Sequence, residues 1–295
     1  QGFQMENFWR ESLEEIYDNF LTDLDKMDDY CELCEVCFTP GRVPDYASTP
    51  QQNLYLLRYF SAYLFEYYEA FSMLKKAAFL DDIPRIASLG CGSGIDGAAV
   101  NCVFDDFTYG GIDRVEWDTW FAEEPPHIGD ANDFIPVSEN IFVFPKSLGE
   151  LPQDVVTALA RNLPRTSAKK VCIINSRRGT DTRDQDACDL IIQGFAPVTP
   201  ARNNVEQLEL RGEERRGLIQ HHRWFSYPQK IIDTISQLSS KCPAREGCPR
   251  GECADAPCPR HGSSIPCWTQ NIPMQRKPVL SDSNFCTDIY LIDRT

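Results

Sequence analysis

The stretch Arg85-Ile-Ala-Ser-Leu-Gly-Cys-Gly-Ser-Gly-Ile-Asp96 decides the fold of this chain. A short apolar run from Ile86 to Leu89 meets glycines at three alternate positions, and an apolar, alanine-rich segment follows from Ile95 to Val103. This order predicts a strand, a glycine turn and a helix. Because glycines lack Cβ atoms and a helix N-terminus offers free N–H groups, a ligand can lie here against bare backbone.

The spacing of the glycines distinguishes two kinds of ligand loop. The dinucleotide fingerprint requires a third glycine three residues after the second. Here Gly94 follows Gly92 by two residues, so that fingerprint is not met. The pattern instead resembles the S-adenosylmethionine loop of class I methyltransferases. The resemblance implies an α/β fold with a Rossmann-like, seven-stranded sheet, and it places Gly90, Cys91, Gly92 and Gly94 at the cofactor.

Two later segments fit the same resemblance. Tyr109-Gly-Gly-Ile-Asp113 has the pattern of a second strand that ends in a carboxylate, and the family places there an acid that accepts both ribose hydroxyls. The resemblance therefore implies that Asp113 and its neighbour Arg114 lie at the cofactor. Ile128-Gly-Asp-Ala131 resembles the family's third strand, whose acid reaches the adenine amino group, which implies Asp130 and Ala131. The alternative is that both acids are ordinary strand-end or turn residues.

A continuous apolar run, Asn140 to Pro145, predicts a strand buried in a parallel sheet. Lys146, Ser147 and Glu150 follow it, where the family often keeps catalytic or substrate-positioning residues. The alternative for these three is a solvent-facing turn and helix start. The Asn/Asp-Pro-Pro-aromatic motif of methylases that act on base amino groups is absent from this place, which disfavours such an acceptor.

The remaining elements follow from periodicity and from the positions of proline. Glu6–Met27 is amphipathic, and Gln51–Asp82 contains neither glycine nor proline and predicts one long helix. We expect most of the aromatic residues of that helix to be core, with one or two tyrosines covering the substrate pocket. Further elements are predicted as helices at Pro152–Asn162, Arg183–Gly194 and Tyr227–Leu238, and as strands at Lys170–Asn175, Gly217–Phe225 and Phe285–Asp293.

The chain is expected to have four parts. Residues 5–82 form a helical N-terminal region that could cover the substrate, and residues 83–240 form the S-adenosylmethionine-binding domain. Residues 241–278 form a cysteine-rich insertion, and residues 279–295 return to the sheet as its last strand. The helical extension and the insertion are additions to the family's sheet.

The cysteine-rich insertion has almost no apolar residues from which to build a core, so a bound metal is the simplest cross-link. Thiolates suit Zn²⁺ or an iron–sulfur cluster, and the spacings match no standard zinc finger. The predicted ligands are Cys242, Cys248, Cys253, Cys258, His261 and Cys267. The alternative is a metal-free loop. Cys31, Cys34 and Cys37 are either further ligands or unliganded thiols. We expect the cysteines in core elements to be small buried apolar residues; they are Cys91, Cys102, Cys172, Cys188 and Cys286.

A second, more distant resemblance rests on two short motifs. The cysteine- and proline-rich cluster late in the chain and the run Ser147-Leu-Gly-Glu-Leu-Pro152 are similar to those of ribosome-associated methyltransferase-like proteins of the mitochondrial small subunit. The formal net charge of −15 departs from that of a ribosome-binding protein. The same charge disfavours tight binding of duplex nucleic acid, which needs an excess of lysine and arginine.

No apolar stretch approaches the roughly 20 residues that a membrane span needs, and no signal peptide is apparent. We therefore expect a cytoplasmic protein. The leading hypothesis is an S-adenosylmethionine-dependent methyltransferase that acts on a small molecule or on a protein or peptide. The alternative is a catalytically inactive cofactor-binding assembly factor whose metal module contacts RNA or protein.

Overall fold

The computed structural model describes residues 2–27, 46–177, 182–195, 204–210, 229–231, 233 and 286–294 of the chain. The helices are α1 (Gly2–Lys26), α2 (Thr49–Ala77), α3 (Ile95–Val103), α4 (Gln153–Asn162) and α5 (Arg183–Gly194). The strands are β1 (Arg85–Leu89), β2 (Thr108–Asp113), β3 (His127–Ile128), β4 (Ile141–Pro145), β5 (Lys170–Arg177), β6 (Asn204–Leu210) and β7 (Cys286–Asp293). This mixed architecture confirms the predicted α/β class.

The strands form one sheet in the order β3-β2-β1-β4-β5-β7-β6. Strands β1 to β5 are parallel, whereas β7 runs antiparallel to both of its neighbours, β5 and β6. The chain leaves β1 on one side, towards β2, and later returns on the other side as β4. The sheet order therefore reverses between β1 and β4, and such a reversal opens a crevice at the carboxyl ends of the strands.

Both faces of the sheet are covered by helices, and strand residues alternate between them. Ile86, Val143 and Ile174 belong to the core shared with α1, α2 and α3. The alternate strand residues, among them Ala87 and Phe144, belong to the opposite core, which contains residues of α4 and α5. The result is a three-layer sandwich in which the first four residues of β4 and the middle of β5 are buried.

The two N-terminal helices are part of this sandwich. The largest fully buried side chains include Trp9 and Phe20 of α1 and Phe60 and Phe71 of α2. Trp9 also donates a hydrogen bond of 2.7 Å from Nε1 to the Ser61 hydroxyl, which joins the two helices. Helix α2 thus covers one face of the sheet and continues to the crevice. None of the helices in the described part of the chain is long and apolar enough to span a membrane.

Two predicted elements extend three or more residues beyond the end of the observed ones. The helix predicted over Gln51–Asp82 ends at Ala77, because Ala78 adopts a left-handed conformation (φ 48°) and two acids that oppose a helix C-terminus follow. The third strand predicted over Ile128–Ala131 ends at Ile128. There the Asp130 carboxylate accepts a hydrogen bond of 3.2 Å from the Asn132 N–H and begins a 3₁₀ turn.

The predicted helices Ile95–Val103 and Arg183–Gly194 are confirmed with the same bounds. Strand β6 was not predicted, since the apolar residues of Asn204–Leu210 do not alternate regularly. The strand predicted at Gly217–Phe225 lies outside the described residues, as does most of the helix predicted at Tyr227–Leu238. The four predicted domain boundaries stay predictions.

Candidate functional site

The loop after β1 is held close to the end of β4. Gly90, Gly92 and Gly94 all have positive φ values, of 74°, 55° and 73°. A Cβ atom on Gly90 would lie 2.6 Å from the Cβ atom of Ser147, and one on Gly94 would lie 2.7 Å from the Trp120 ring. Both positions therefore require glycine for conformation and for space.

The second anchor of this loop is Asp113, at the end of β2. Its Oδ2 atom accepts a hydrogen bond of 2.7 Å from the Gly92 N–H, and its Oδ1 atom accepts one of 2.9 Å from the Val115 N–H. Burial raises the pKa of Asp113, and these hydrogen bonds oppose the rise. An ionised carboxylate offers about four lone-pair positions. The Arg114 N–H also donates to this carboxylate, so part of its acceptor capacity remains for ligand hydroxyl groups.

A cavity of about 270 Å³ opens between the loop after β1 and the residues after β4. It lies at the reversal of the sheet order, where ligands of open α/β sheets bind. Of the predicted site residues, the cavity brings together Gly90, Cys91, Gly92, Asp113, Arg114, Ala131, Lys146, Ser147 and Glu150. Gly94 is not among the residues that line the cavity.

Asp130 lines a different cavity, which residues of β1, β2 and the segment after β3 also line. Its Oδ2 atom forms an ion pair with the Arg114 guanidinium, which itself reaches the main cavity. The structure therefore places Asp130 outside the main cavity, in contact with Arg114, which lines it. The predicted contact of Asp130 with an adenine amine stays a prediction.

Lys146 is the first residue after β4 and has a positive φ of 57°. Its buried ammonium lies 3.0 Å from the Oε2 atom of Glu66, a residue of α2 that is 0% exposed. The same ammonium donates hydrogen bonds of 3.0 Å to the Ser176 hydroxyl and 3.3 Å to the Arg177 carbonyl. Since an ammonium has three donors, these partners occupy all of them.

Glu66 was not singled out in the sequence, yet it joins α2 to three strands. Its Oε1 atom accepts hydrogen bonds of 2.8 Å from the Ser176 hydroxyl and 2.5 Å from the Thr287 hydroxyl. Ser176 belongs to β5 and Thr287 to β7, while Lys146 follows β4. A glutamate within the aromatic run Tyr63–Tyr68 of a long helix is the signal that could have indicated a buried polar contact.

The other two predicted catalytic residues differ in exposure. The Ser147 hydroxyl is buried and donates a hydrogen bond of 2.6 Å to the Leu89 carbonyl, so its proton is engaged. Glu150 is exposed, in a 3₁₀ turn at the edge of the cavity. Its charge raises the pKa of the Tyr55 hydroxyl, a smaller contribution than that of burial, which places it near that ring.

Asp96 is a second unanticipated carboxyl group and, unlike Glu66, it lines the cavity. It lies in the first turn of α3, is 0% exposed and accepts a hydrogen bond of 2.9 Å from the Tyr109 hydroxyl. Burial raises its pKa to about 6, although hydrogen bonds oppose the rise. Asp96 is the last residue of the stretch Arg85–Asp96, but its contact with Tyr109 does not follow from the local sequence.

Aromatic rings form one side of the cavity. Tyr55, Tyr63 and Tyr67 of α2 line it together with Tyr46 and Trp117. One or two tyrosines of the long helix were expected to cover the substrate pocket, and three of them line this cavity. Burial raises the pKa of Tyr55, Tyr63 and Tyr67 well above the ordinary value, so these hydroxyls stay neutral.

The predicted metal ligands at 242–267, and Cys31, Cys34 and Cys37, all lie outside the described residues, so the metal centre stays a prediction. Among the residues that the structure describes, no group of three or more His, Cys, Asp or Glu side chains could hold a metal ion. Cys91, Cys172 and Cys188 are buried free thiols, as predicted, and burial raises their pKa values. Cys102 is only half-buried.

No protein-family model matches this chain, and no curated protein matches it. Among solved structures, it is similar to the plantazolicin methyltransferase BpumL in complex with S-adenosylhomocysteine, with 12% identity and a TM-score of 0.41 over 97% of this chain and 99% of that one. It is also similar to phosphoethanolamine N-methyltransferase 2 of Haemonchus contortus, with 12% identity and a TM-score of 0.40 over 85% and 60%.

The mitomycin 7-O-methyltransferase MmcR is 18% identical with a TM-score of 0.28, over 45% of this chain and 42% of that one. At these TM-scores the likenesses establish neither a family nor an activity for this chain. The chemistry must therefore be inferred from the cavity itself.

Proposed function

We propose that the protein is an S-adenosylmethionine-dependent methyltransferase that acts on a small molecule or a peptide. The observation that supports this most is the meeting of three features in one cavity at the reversal of the sheet order. These are the backbone of the glycine loop, the carboxylate at the end of β2 and the residues that follow β4.

The residues present fit this cofactor. Asp113 would accept hydrogen bonds from the ribose hydroxyls with its remaining acceptor capacity, and the backbone of Gly90 to Gly92 would lie along the methionine part. Ile112 and Ala131, which line the same cavity, would supply apolar surface for the base. When bound, S-adenosylmethionine supplies a methyl group on a positively charged sulfur, which keeps the electron pair of the broken carbon–sulfur bond while the acceptor's lone pair forms the new bond.

The protein's own contribution is to position the acceptor and to take its proton. Of the three predicted catalytic residues, we assign proton acceptance to Glu150, because it is a carboxylate exposed at the edge of the cavity. Lys146 and Ser147 have their donors engaged with other protein groups. We therefore assign them a positioning role, in which they hold the end of β4 against α2 and the glycine loop.

Calorimetric titration with S-adenosylmethionine and S-adenosylhomocysteine tests the cofactor assignment. We expect the unmutated protein to bind both, and Asp113→Ala to bind at least about tenfold more weakly, since hydrogen bonds to a charged group contribute about 1.5–3 kcal/mol. Asp105→Ala, a change at an exposed loop acid, is the control. Absence of binding to the unmutated protein would refute the assignment.

Asp130→Ala belongs in the same series because it separates two roles. A loss of affinity as large as that of Asp113→Ala would support contact with the adenine amine. A smaller loss would mean that Asp130 acts only through Arg114. Release of S-adenosylhomocysteine from S-adenosylmethionine in the presence of fractionated cell extract then distinguishes an enzyme from an inactive cofactor-binding factor.

A further inference from the structure

The aromatic side of the cavity has a regular construction. Tyr55, Tyr59, Tyr63 and Tyr67 recur at every fourth residue of α2, so they lie on one face of the helix. Tyr59 stacks behind Tyr63, with ring centroids 5.3 Å apart and an interplanar angle of 11°. Tyr55 and Tyr63 line the cavity, and they are held as one surface by these contacts.

Two further rings extend this surface from outside α2. Tyr46 lies 5.4 Å from Tyr55 and 5.5 Å from Trp117 between ring centroids, and Tyr55 lies 5.6 Å from Trp117. We call Tyr46, Tyr55, Tyr63 and Trp117 the aromatic wall. All four line the same cavity as the glycine loop. The wall therefore faces the place where an acceptor would meet the cofactor.

The charges around the cavity decide what kind of acceptor this wall suits. Two basic side chains line the cavity, and each is paired with a carboxylate that does not line it. Lys146 pairs with Glu66, and Arg114 pairs with Asp130. Three further carboxyl groups line the cavity; they are Asp96, Asp113 and Glu150. Among the described residues the balance of charge is therefore acidic, which opposes an anionic acceptor and attracts a cation.

Aromatic faces add a second attraction for cations. One ring of the wall already has a cation over its face, since the Lys146 ammonium lies 5.0 Å from the centroid of the Tyr63 ring. From the wall and the acidic lining together we propose that the methyl acceptor is an organic amine, bound as its ammonium cation. This inference rests on the proposed function and names its substrate class.

The acidic lining of the cavity also provides a group that can accept the proton of the bound ammonium. An ammonium nitrogen has no lone pair, so it must lose a proton before it can accept a methyl group. The Glu150 carboxylate, exposed at the cavity edge, takes that proton. The methylated product is again a cation when protonated or quaternary, so the wall also binds the product.

Three compounds of similar shape test the charge preference directly. Choline is a cation, 3,3-dimethylbutan-1-ol is its neutral counterpart, and 3,3-dimethylbutanoate is an anion. Each is titrated calorimetrically into the full-length protein that has been saturated with S-adenosylhomocysteine. We expect choline to bind at least about tenfold more tightly than the alcohol, a factor within reach of cation–aromatic attraction, and the anion to bind most weakly.

Variants of the wall check that the rings carry this preference. We expect Tyr55→Leu to reduce the affinity for choline at least about fivefold while the affinity for the alcohol hardly changes, and Tyr55→Phe to retain choline binding, because the ring face remains. Tyr68→Leu is the matched control, since Tyr68 is a half-buried tyrosine of α2 that does not line the cavity. Trp117→Leu provides a second variant if Tyr55→Leu fails to fold.

The titration with S-adenosylhomocysteine separates the two proposals. If it binds and choline binds no better than the alcohol, the amine inference is wrong and the cofactor assignment stands. If the anion binds best, the amine inference is also wrong. If S-adenosylhomocysteine itself does not bind, both proposals fail.

Discussion

At the scale of single residues, Asp96 links the cavity to the pH dependence of stability. Its pKa in the folded protein is about 6, above its ordinary value of 3.8. A carboxyl group of this kind binds its proton more tightly when the protein is folded. It therefore stabilises the fold at low pH, and this contribution is lost as the pH rises through about 6.

We expect Asp96→Asn to remove that pH dependence. Between about pH 5 and about pH 7.5 the unmutated protein should lose about 1.4 kcal/mol of unfolding free energy relative to the variant. The lower pH lies about one unit below the pKa of Asp96 in the folded protein, and one unit corresponds to 1.36 kcal/mol. Urea unfolding of both proteins at the two pH values measures this, with Asp105→Asn as an exposed control. The same free-energy difference between Asp96→Asn and the unmutated protein at both values would contradict the prediction.

The sequence allowed prediction of those site residues that follow from local spacing. Gly90, Gly92 and Asp113 stand at the ends of recognisable strands, and all three meet in the cavity. Asp96 and Glu66 could not be assigned, since each depends on a partner distant in sequence, Tyr109 in one case and Lys146 in the other. Spacing along one element does not indicate such a partner.

At the scale of elements, the ion pair between Glu66 and Lys146 joins α2 to the end of β4. Removing one partner of a buried pair leaves an uncompensated charge and costs about 3–5 kcal/mol. We expect Glu66→Leu and Lys146→Met each to destabilise the protein by about that much. The double variant should be far less destabilised than the sum, since neither charge remains.

A double-mutant cycle by urea unfolding measures this coupling. The exposed pair of Arg10 and Glu6 on α1, at 2.8 Å, serves as the control, for which we expect a coupling of about 0.3–0.5 kcal/mol. Simple additivity of Glu66→Leu and Lys146→Met would show that the buried pair does not act as a unit.

Element boundaries were less predictable than element types. The type of α2 followed from its apolar period, but its end depends on the backbone conformation of Ala78, a residue type that rarely adopts positive φ. Strand β3 is short because the Asp130 side chain begins a turn. Both outcomes arise from competition between neighbouring local structures, which periodicity does not resolve.

At the scale of the whole molecule, the predicted metal module can be tested independently of the sheet. We expect elemental analysis to find one Zn²⁺ or one iron–sulfur cluster per chain, and visible absorption distinguishes the two. The double change Cys253→Ser and Cys258→Ser should abolish metal binding, since ligation energy is folding energy for such a module. Binding of S-adenosylhomocysteine should survive, because the described core contains none of these residues.

Protein prepared without oxygen that contains neither zinc nor iron would refute the metal assignment.

The α/β class itself could be predicted because strands and helices alternate along the chain with a clear apolar pattern. The position of β6 could not, since its pairing partner β7 stands far along the chain and the strand itself has no regular alternation.

The position of β7 between β5 and β6 also has a consequence for synthesis on the ribosome. Residues 211–285 separate β6 from its only described partner strand, and Thr287 of β7 completes the contacts of Glu66. At a translation rate of about 5–20 residues per second, β6 waits several seconds for that partner. During this interval the nascent chain exposes an open sheet edge and lacks one of the hydroxyl groups that bind Glu66. This is the period in which we expect a chaperone to be needed.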